Sequence, residues 1–201
     1  MRTTDSSHAH EPVTSNLVPA APRTSEQLND TFTALLAYKE RLYCVAIRIL
    51  QDREDALDAI QNAYLQAYKS LHRFRGESHP YTWLYRIAYN ECVRCRMRRT
   101  ARRRREEDLP VREERGLHVP VEDTGFRLVD HEQNTREIRH AVHRLPEIYR
   151  DVVTLRYFGH MSYQEVADVS ACEVGTVRSR LSRAHARLKR MLPPALLNEL
   201  A

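Results

Sequence analysis

The clearest chemical pattern lies near the C-terminal end, where residues 174–192 include six basic residues and no acidic one. Polar and basic residues recur there every three or four positions, which places them on one face of a helix. An apolar stripe forms another face of the same helix, at Val177, Leu181, Ala184, Leu188 and Met191. Such a helix fits the DNA major groove, where its side chains contact base edges and phosphates. The candidate DNA contacts are Thr176, Arg178, Ser179, Arg180, Arg183 and Arg187.

The segment before this helix predicts the first half of a helix-turn-helix. Ser162 and Glu165 have the spacing of a capping box, and Ala167 is small where two helices must cross closely. The predicted helices span about 163–169 and 174–192. The alternative to DNA binding is a basic helix that packs in a helical bundle and exposes its charges only to solvent. Because the capping box, the small residue and the turn occur in the register of a helix-turn-helix, DNA binding is favoured.

A second group combines aromatic residues with arginines. Tyr81, Tyr85 and Tyr89 are four residues apart, with Trp83 among them. Unpaired bases stack on aromatic rings while guanidinium groups bind phosphates, so this pattern suits single-stranded DNA. The loop 74–78 could hold a flipped base. In the alternative interpretation, Trp83 and some of the tyrosines belong to the core. The candidate contacts are Phe74, Arg75, Ser78, Tyr81, Trp83, Arg86, Asn90 and Arg94.

Neither metal nor catalytic chemistry is indicated. Cys92 and Cys95 form a C-x-x-C inside a predicted helix, without the second pair of ligands that a zinc site needs. The sequence has no glycine-rich phosphate loop and no evident pair of nucleophile and base. We therefore expect no metal, no cofactor and no enzymatic activity.

Composition indicates a soluble helical protein. The 201 residues include only five glycines, which argues against a hairpin-rich β-protein. No apolar run approaches the ~20 residues of a membrane-spanning helix, so we expect a cytoplasmic protein without membrane insertion. The excess of five positive charges is unevenly placed. Residues 86–105 contain nine arginines and one acid, whereas 106–136 contain nine acids and four arginines.

These patterns predict an all-α fold of two small helical domains joined by a flexible acidic linker. The first domain spans 27–100, and its helices begin with periodic apolar residues from Phe32 and end near Arg99. Asp52 is expected to cap the second helix, whose apolar stripe includes Leu57 and Tyr68 and whose acidic face could bind a basic partner. The linker is 101–136 and the second domain 137–193. Residues 1–26 and 194–201 are expected to be tails.

The two domains together resemble the extracytoplasmic-function group of bacterial sigma factors. The resemblance covers nearly two-thirds of the chain, and it rests on five stretches in this order. They are 52–61 (DREDALDAIQ), 73–78 (RFRGES), 83–90 (WLYRIAYN), 145–150 (LPEIYR) and 174–181 (VGTVRSRL). Ala171 stands where the family usually has a turn glycine.

The resemblance implies specific roles. The first domain would be region 2, which binds the clamp helices of the polymerase β′ subunit and melts the minus-ten element. The second would be region 4, which binds the β flap and the minus-thirty-five element. An anti-sigma factor is implied as a further partner. The implied polymerase contacts are Asp55, Asp58, Gln61 and Asn62.

Two other functions remain open at this point. A helix-turn-helix regulator would bind duplex promoter DNA without replacing the polymerase sigma subunit, but the group at 74–90 argues against it. A nucleic-acid enzyme would use Asp55 and Asp58 as metal ligands, which requires a deep acidic pocket that holds both.

Overall fold

The computed structural model describes residues 25–107 and 132–193, and within these ranges the regular elements are all helical. The predicted all-α fold of two helical domains is therefore confirmed. Residues 1–24 and 194–201 of the predicted tails and residues 108–131 of the predicted linker lie outside the described residues.

The first helical body contains four helices and a short 3₁₀ turn. They are α1 (Ser25–Leu36), α2 (Lys39–Leu50), α3 (Arg53–Ser70), the 3₁₀ turn (Leu71–Arg73) and α4 (Pro80–Glu107). Asp52 caps α3 as predicted, because its carboxylate accepts a hydrogen bond from the backbone N–H of Asp55 at 3.0 Å. Gln51, in the left-handed conformation, ends α2 just before this cap.

The contact between α3 and α4 depends on small residues in α3. Its buried side chains are Ala56, Ala59, Ile60, Ala63 and Ala67, so the two helix backbones approach closely. The prediction that Leu57 and Tyr68 belong to the buried stripe is wrong, because both side chains are exposed. The prediction assumed that the larger apolar residues are buried, whereas the alanines face the core.

Helix α4 is longer than the sequence pattern predicted. It continues to Glu107, about two turns past Arg99, where the helix was expected to end. Arginine has a good helix propensity, and positive side chains near a helix C-terminus interact favourably with the helix dipole. The apolar periodicity used to place the helix end is absent here, because the side chains from Thr100 to Arg105 are exposed.

The second body contains four helices. They are α5 (Glu132–His143), α6 (Glu147–Val153, continued by a π-helical turn at Thr154–Phe158), α7 (Tyr163–Ser170) and α8 (Val174–Met191). The capping box at α7 forms as predicted between Ser162 and Glu165. Gly159 ends the π turn, and a side chain there would lie 2.5 Å from the backbone oxygen of Leu155. Close packing, not a left-handed backbone, therefore requires glycine at this position.

The two bodies pack directly against each other, an arrangement that we call the docked arrangement. Helix α4 lies against α7, and α2 lies against α6 and its π turn. The buried apolar residues of both bodies form one continuous cluster. The Arg48 guanidinium lies 4.0 Å from the centre of the Phe158 ring, and Arg150 donates hydrogen bonds to backbone oxygens on both sides, including that of Ile49.

Candidate nucleic-acid interface

Helix α8 has the two faces that its sequence predicted. Val177, Leu181, Ala184 and Leu188 are buried. On the other side Arg178, Ser179, Arg183 and Arg187 are exposed, while Thr176 and Arg180 are half-buried. The predicted residues therefore lie on one helix with their polar side chains outside the core.

Two of the α8 arginines lie near aromatic side chains of other helices. The Arg187 guanidinium lies 5.1 Å from the centre of the Tyr149 ring, which orients it along the helix surface. Arg180 lies near enough to Tyr89 of α4 to lower the pKa of that tyrosine, although burial and the Asp151 carboxylate raise this pKa by more. Arg180 thus faces the other body in the docked arrangement.

A polar contact at His185 joins α8 to the rest of its body. The Tyr157 hydroxyl and His185 Nε2 are 2.7 Å apart, linking α8 to the π turn. Burial lowers the pKa of His185, so the imidazole is neutral at neutral pH. This contact sets the orientation of the basic face relative to α6.

The start of α4 places aromatic rings together, although not all of those predicted. Phe74 and Trp83 are in contact, with ring centres 5.2 Å apart, and both are half-buried. Tyr81 stacks on Tyr38 at 5.8 Å. Tyr85 is only 1% exposed, so the alternative that some of the tyrosines are core residues is correct for this one.

The polar candidates around these rings differ in their surroundings. Ser78 is half-buried and Asn90 is exposed. Arg75 is exposed beside Glu77, with 3.9 Å between the charged atoms. Arg94 forms a short ion pair with Glu91 one turn earlier.

Arg86 links the two candidate DNA surfaces. Its Nε donates a hydrogen bond to the backbone oxygen of Asp168 in α7, at 3.0 Å. Beside it, the Thr82 hydroxyl donates to the Glu165 carboxylate of the capping box, at 3.3 Å. The predicted single-strand surface therefore touches the helix-turn-helix directly.

A buried carboxylate joins α4 to α6. Asp151 is 3% exposed and accepts hydrogen bonds from Arg96 at 3.1 and 3.0 Å and from the Tyr89 hydroxyl at 3.0 Å. The more exposed Glu147 approaches the same Arg96 at 3.2 Å. Sequence analysis did not identify this group, because its members are 55 and 62 residues apart and share no motif.

The predicted polymerase-binding residues divide into two sets. Asp58, Gln61 and Asn62 are exposed on α3. Asp55 instead faces α4, where its carboxylate lies 3.6 Å from the Arg99 guanidinium. Two exposed leucines complete the open face of α3, Leu57 at 43% and Leu65 at 56% exposed. The sequence analysis placed Leu57 in the buried stripe and did not identify Leu65.

The C-x-x-C pair lies within α4, with both thiols buried. Burial raises the pKa of Cys92 to about 12, and the nearby Asp151 carboxylate raises it further. The group is therefore an unreactive thiol at neutral pH. Among the described residues, no three histidine, cysteine or acidic side chains are grouped as metal ligands. Nor is any described helix both long and apolar enough to span a bilayer.

Two family models match the chain at the two bodies. Residues 35–104 match the model described as "Sigma-70 region 2", and residues 135–188 match "Sigma-70, region 4". The first match includes the aromatic and arginine surface of α4, and the second includes the helix-turn-helix.

Similar curated proteins bear sigma-factor names. The chain is 35% identical over 168 residues to the RNA polymerase sigma-H factor of Pseudomonas aeruginosa, a match that covers 81% of this chain and 86% of that protein. It is 34% identical over 148 residues to the ECF RNA polymerase sigma-E factor of Haemophilus influenzae, covering 72% of this chain and 78% of that protein.

Two solved structures match the fold of this chain. The sigma factor RpoE of Bartonella quintana, in complex with the anti-sigma factor NepR, matches with a TM-score of 0.62 and 26% identity. The match covers 81% of this chain and 96% of RpoE. CnrH, in complex with the cytosolic domain of CnrY, has a TM-score of 0.54, covers 89% of this chain and 92% of its own, and at 20% identity supports the fold alone.

Proposed function

The chain belongs to the extracytoplasmic-function group of bacterial sigma factors, and we propose that it performs the task of that family through three of the surfaces described above. It binds core RNA polymerase and directs promoter-specific transcription initiation at minus-ten and minus-thirty-five elements. Our assignment of surfaces rests mainly on one observation. A single chain pairs the basic face of α8 with an aromatic and arginine surface at the start of α4.

We assign the minus-thirty-five element to α8. Arg178 and Arg183 are exposed on its open face, and Thr176 and Ser179 lie near its N-terminal end, where a recognition helix meets base edges. Arg187 is exposed for base or phosphate contacts already, and Arg180 becomes available for them once the bodies separate. The helix-turn-helix body assigned to this task spans 137–193.

We assign strand opening at the minus-ten element to the first body, 27–100. The half-buried Phe74 and Trp83 form a ring surface on which an unpaired base can stack. Beside them Arg75, Arg86 and Arg94 supply positive charge for the strand backbone, and Ser78, Tyr81 and Asn90 supply polar groups for a flipped base. The buried Tyr85 is excluded from this role.

We assign contact with the β′ clamp helices to the open face of α3. An interface core is apolar with a polar rim, and the two exposed leucines flanked by Asp58, Gln61 and Asn62 have this composition. Asp55 supports this face indirectly, since its carboxylate lies 3.6 Å from the Arg99 guanidinium and so links the first turn of α3 to α4. The contact with the β flap falls to the second body.

Promoter recognition requires the two bodies to leave the docked arrangement. By their names, the two elements are centred about 25 base pairs apart, or about 85 Å along B-DNA at one turn per 34–36 Å. In the docked arrangement Arg86 of the minus-ten surface lies 3.0 Å from the helix-turn-helix. The 24 residues between the bodies, 108–131, reach about 80 Å at full extension, and the 28-residue α4 adds about 42 Å of length within the first body, so both elements can be bound at once.

An anti-sigma factor would act by holding the bodies in the docked arrangement. The Bartonella sigma factor that this chain resembles is in complex with such a protein. A partner that bridges both bodies blocks initiation without covering every DNA contact, because the docked geometry alone prevents simultaneous binding of both elements. We further propose that the chain has no catalytic activity of its own and acts in the cytoplasm together with the polymerase.

The test is transcription in vitro with purified core polymerase, the full chain and genomic promoter fragments, followed by mapping of the start sites. We expect start sites that depend on this chain and share two upstream sequence elements. Core polymerase that gains no promoter-specific start sites would contradict the proposal. Binding of the chain to duplex promoters without core polymerase would instead support the regulator alternative.

A further inference from the structure

The loop that carries Phe74 joins α4 at His79, a residue that none of the three proposed surfaces includes. The backbone oxygen of His79 accepts a hydrogen bond from the Trp83 N–H at 3.1 Å, and the regular helix begins one residue later, at Pro80. His79 is therefore the N-cap residue of α4. Its imidazole Nδ1 accepts a hydrogen bond from the backbone N–H of Tyr81, at 3.3 Å. The imidazole thus takes the capping role that serine, threonine, aspartate or asparagine usually has.

Ring contacts orient this imidazole. The centres of the His79 and Tyr81 rings are 4.7 Å apart, and Tyr81 in turn stacks on Tyr38, the residue just before α2, at 5.8 Å. His79 is nevertheless exposed to solvent, so that it can exchange protons with the solution. A capping side chain that is both oriented and accessible can respond to pH.

A proton on the imidazole removes the cap. A neutral imidazole accepts a hydrogen bond at one ring nitrogen, whereas both nitrogens of an imidazolium are donors. The positive charge would also lie at the positive end of the α4 dipole, where the first turn contains no acidic residue to offset it. Both effects destabilise the first turn of α4 when His79 binds a proton. Histidine is the side chain that ordinarily changes charge between pH 5 and 8.

The carboxylates near His79 do not replace the imidazole as a cap. Glu77, in the preceding loop, lies 3.9 Å from Arg75. Glu165 of α7 reaches the first turn of α4 through the Thr82 hydroxyl, at 3.3 Å, but only in the docked arrangement. Because promoter binding separates the bodies, Glu165 then leaves this turn and the imidazole of His79 stays. The cap therefore matters most in the promoter complex.

The first turn of α4 positions the ring surface assigned to strand opening. The Trp83 N–H is bonded to His79, and the Trp83 ring contacts Phe74, with ring centres 5.2 Å apart. If this turn frays, the two rings no longer have a fixed separation. The surface on which an unpaired base can stack is then lost.

We propose that His79 is a positioning residue for strand opening, and that its protonation makes strand opening sensitive to acid. The inference rests on the proposed function, because it requires the rings of Phe74 and Trp83 to hold an unpaired base. His79 acts through the first turn of α4 and without touching DNA.

The test compares opening rates of reconstituted holoenzymes at pH 8 and pH 6, measured by permanganate reactivity of promoter thymines. H79N keeps a capping acceptor that does not titrate, so it serves as the reference that cancels the pH dependence of the polymerase itself. Wild type should match H79N at pH 8 and open about threefold more slowly than H79N at pH 6. H79A, which has no acceptor, should be about threefold slower than H79N at both pH values. Equal rates for wild type and H79N at pH 6 would overturn the proposal.

The matched control is His72, an exposed histidine in the 3₁₀ turn on the other side of the loop. H72Q should show the same loss at pH 6 as wild type. If H72Q instead abolishes the loss, His72 and not His79 responds to pH, and the proposal is wrong. Wild type that opens faster than H79N at pH 6 would mean that the imidazolium binds phosphate, which also contradicts the proposal.

Nuclear magnetic resonance of the free full chain tests the cap without polymerase. Because Nδ1 accepts a hydrogen bond, the ¹⁵N chemical shifts of the His79 ring should show the proton on Nε2 at pH 8. A proton on Nδ1 would exclude the cap. Wild-type holoenzyme that opens no promoter at pH 8 would contradict the proposed function, whereas normal opening with no difference between wild type and H79N at pH 6 contradicts this inference alone.

Discussion

The Arg96 guanidinium in α4 holds both carboxylate oxygens of Asp151 in α6, at 3.1 and 3.0 Å, and so joins the two helical bodies by a bidentate ion pair. Asp151 is nearly fully buried and Arg96 is largely buried. Because removal of one partner leaves the other charge desolvated, this pair resists partial disruption. It favours the docked arrangement, in which both promoter elements cannot be bound together.

Loss of the Asp151 charge should open the protein. In Asp151→Asn the Arg96 guanidinium keeps only the exposed Glu147 as an acidic partner, and we expect docking to weaken by about 2 kcal/mol, less than the full cost of breaking a buried pair. Small-angle scattering of the free chain should show a larger radius of gyration. Glu147→Gln is the control, and its effect should stay below about 1 kcal/mol because that carboxylate is exposed. A variant as compact as wild type would show that the pair does not hold the bodies together.

The basic face of α8 should determine use of the minus-thirty-five element. Arg183→Ala removes an exposed guanidinium and should lower promoter affinity by about 1–3 kcal/mol, the usual value for one base-contacting arginine. The measurement is holoenzyme binding to the native promoter and to one with a scrambled minus-thirty-five element. The loss should vanish on the scrambled promoter. If both promoters lose equally, Arg183 contacts DNA without recognising that element.

Trp83 should act in strand opening rather than in initial binding. Its ring contacts Phe74 and is half-exposed, so Trp83→Ala removes a stacking surface that contributes about 1–3 kcal/mol per base. Permanganate reactivity of unpaired thymines should appear more slowly, while affinity for the closed promoter changes little. Trp83→Tyr retains a ring and serves as the control for packing. Unchanged opening in the alanine variant would exclude this role.

Leu65 should contribute to polymerase binding without contributing to folding. Leu65→Ser changes an exposed side chain, so the free energy of unfolding should shift by no more than about 0.5 kcal/mol. Competition for core polymerase should show a loss of roughly tenfold. Asp55→Ala should do the reverse and chiefly lower stability, because Asp55 contacts Arg99. Normal core affinity in Leu65→Ser would move the interface away from this face.

The turn of the helix-turn-helix contains a strained alanine. Ala171 has φ 50° and ψ 50°, a left-handed conformation that costs residues with a Cβ atom about 1–2 kcal/mol. Glycine relieves this strain but adds unfolded-state entropy, so Ala171→Gly should stabilise the protein by about 0.5 kcal/mol and raise Tm by a few degrees. Ala186→Gly, in the middle of α8, is the control and should destabilise by about 1 kcal/mol. A lower Tm for Ala171→Gly would contradict the strain argument.

Local features of the fold were predictable from the sequence because their causes are local. Asp52 and Ser162 cap their helices as expected, and the buried stripe of α8 follows its periodicity. Burial within α3 was predicted incorrectly, because close helix packing selects alanine over larger residues such as Leu57. For the same reason the exposed leucines on the open face of α3, Leu57 and Leu65, were not identified as a surface.

Contacts between distant segments were not predictable. Nothing in the local sequence of Arg96 distinguishes it from the neighbouring arginines, and its partner Asp151 belongs to another helix 55 residues away. The role of Tyr89 was ambiguous for the same reason, since its hydroxyl binds Asp151 and not solvent. Long-range pairing depends on the packing of whole helices, which periodicity within one helix does not encode.

The most direct test of the account is the distance between the two bodies before and after promoter binding. Dyes on Lys39→Cys and Arg144→Cys, two exposed positions outside the assigned surfaces, report this distance by energy transfer once Cys44 and Cys172 are replaced by serine. We predict efficient transfer in the free chain and a separation larger by several tens of ångströms in the open promoter complex. Transcription from a complex in which the docked distance persists would contradict the account.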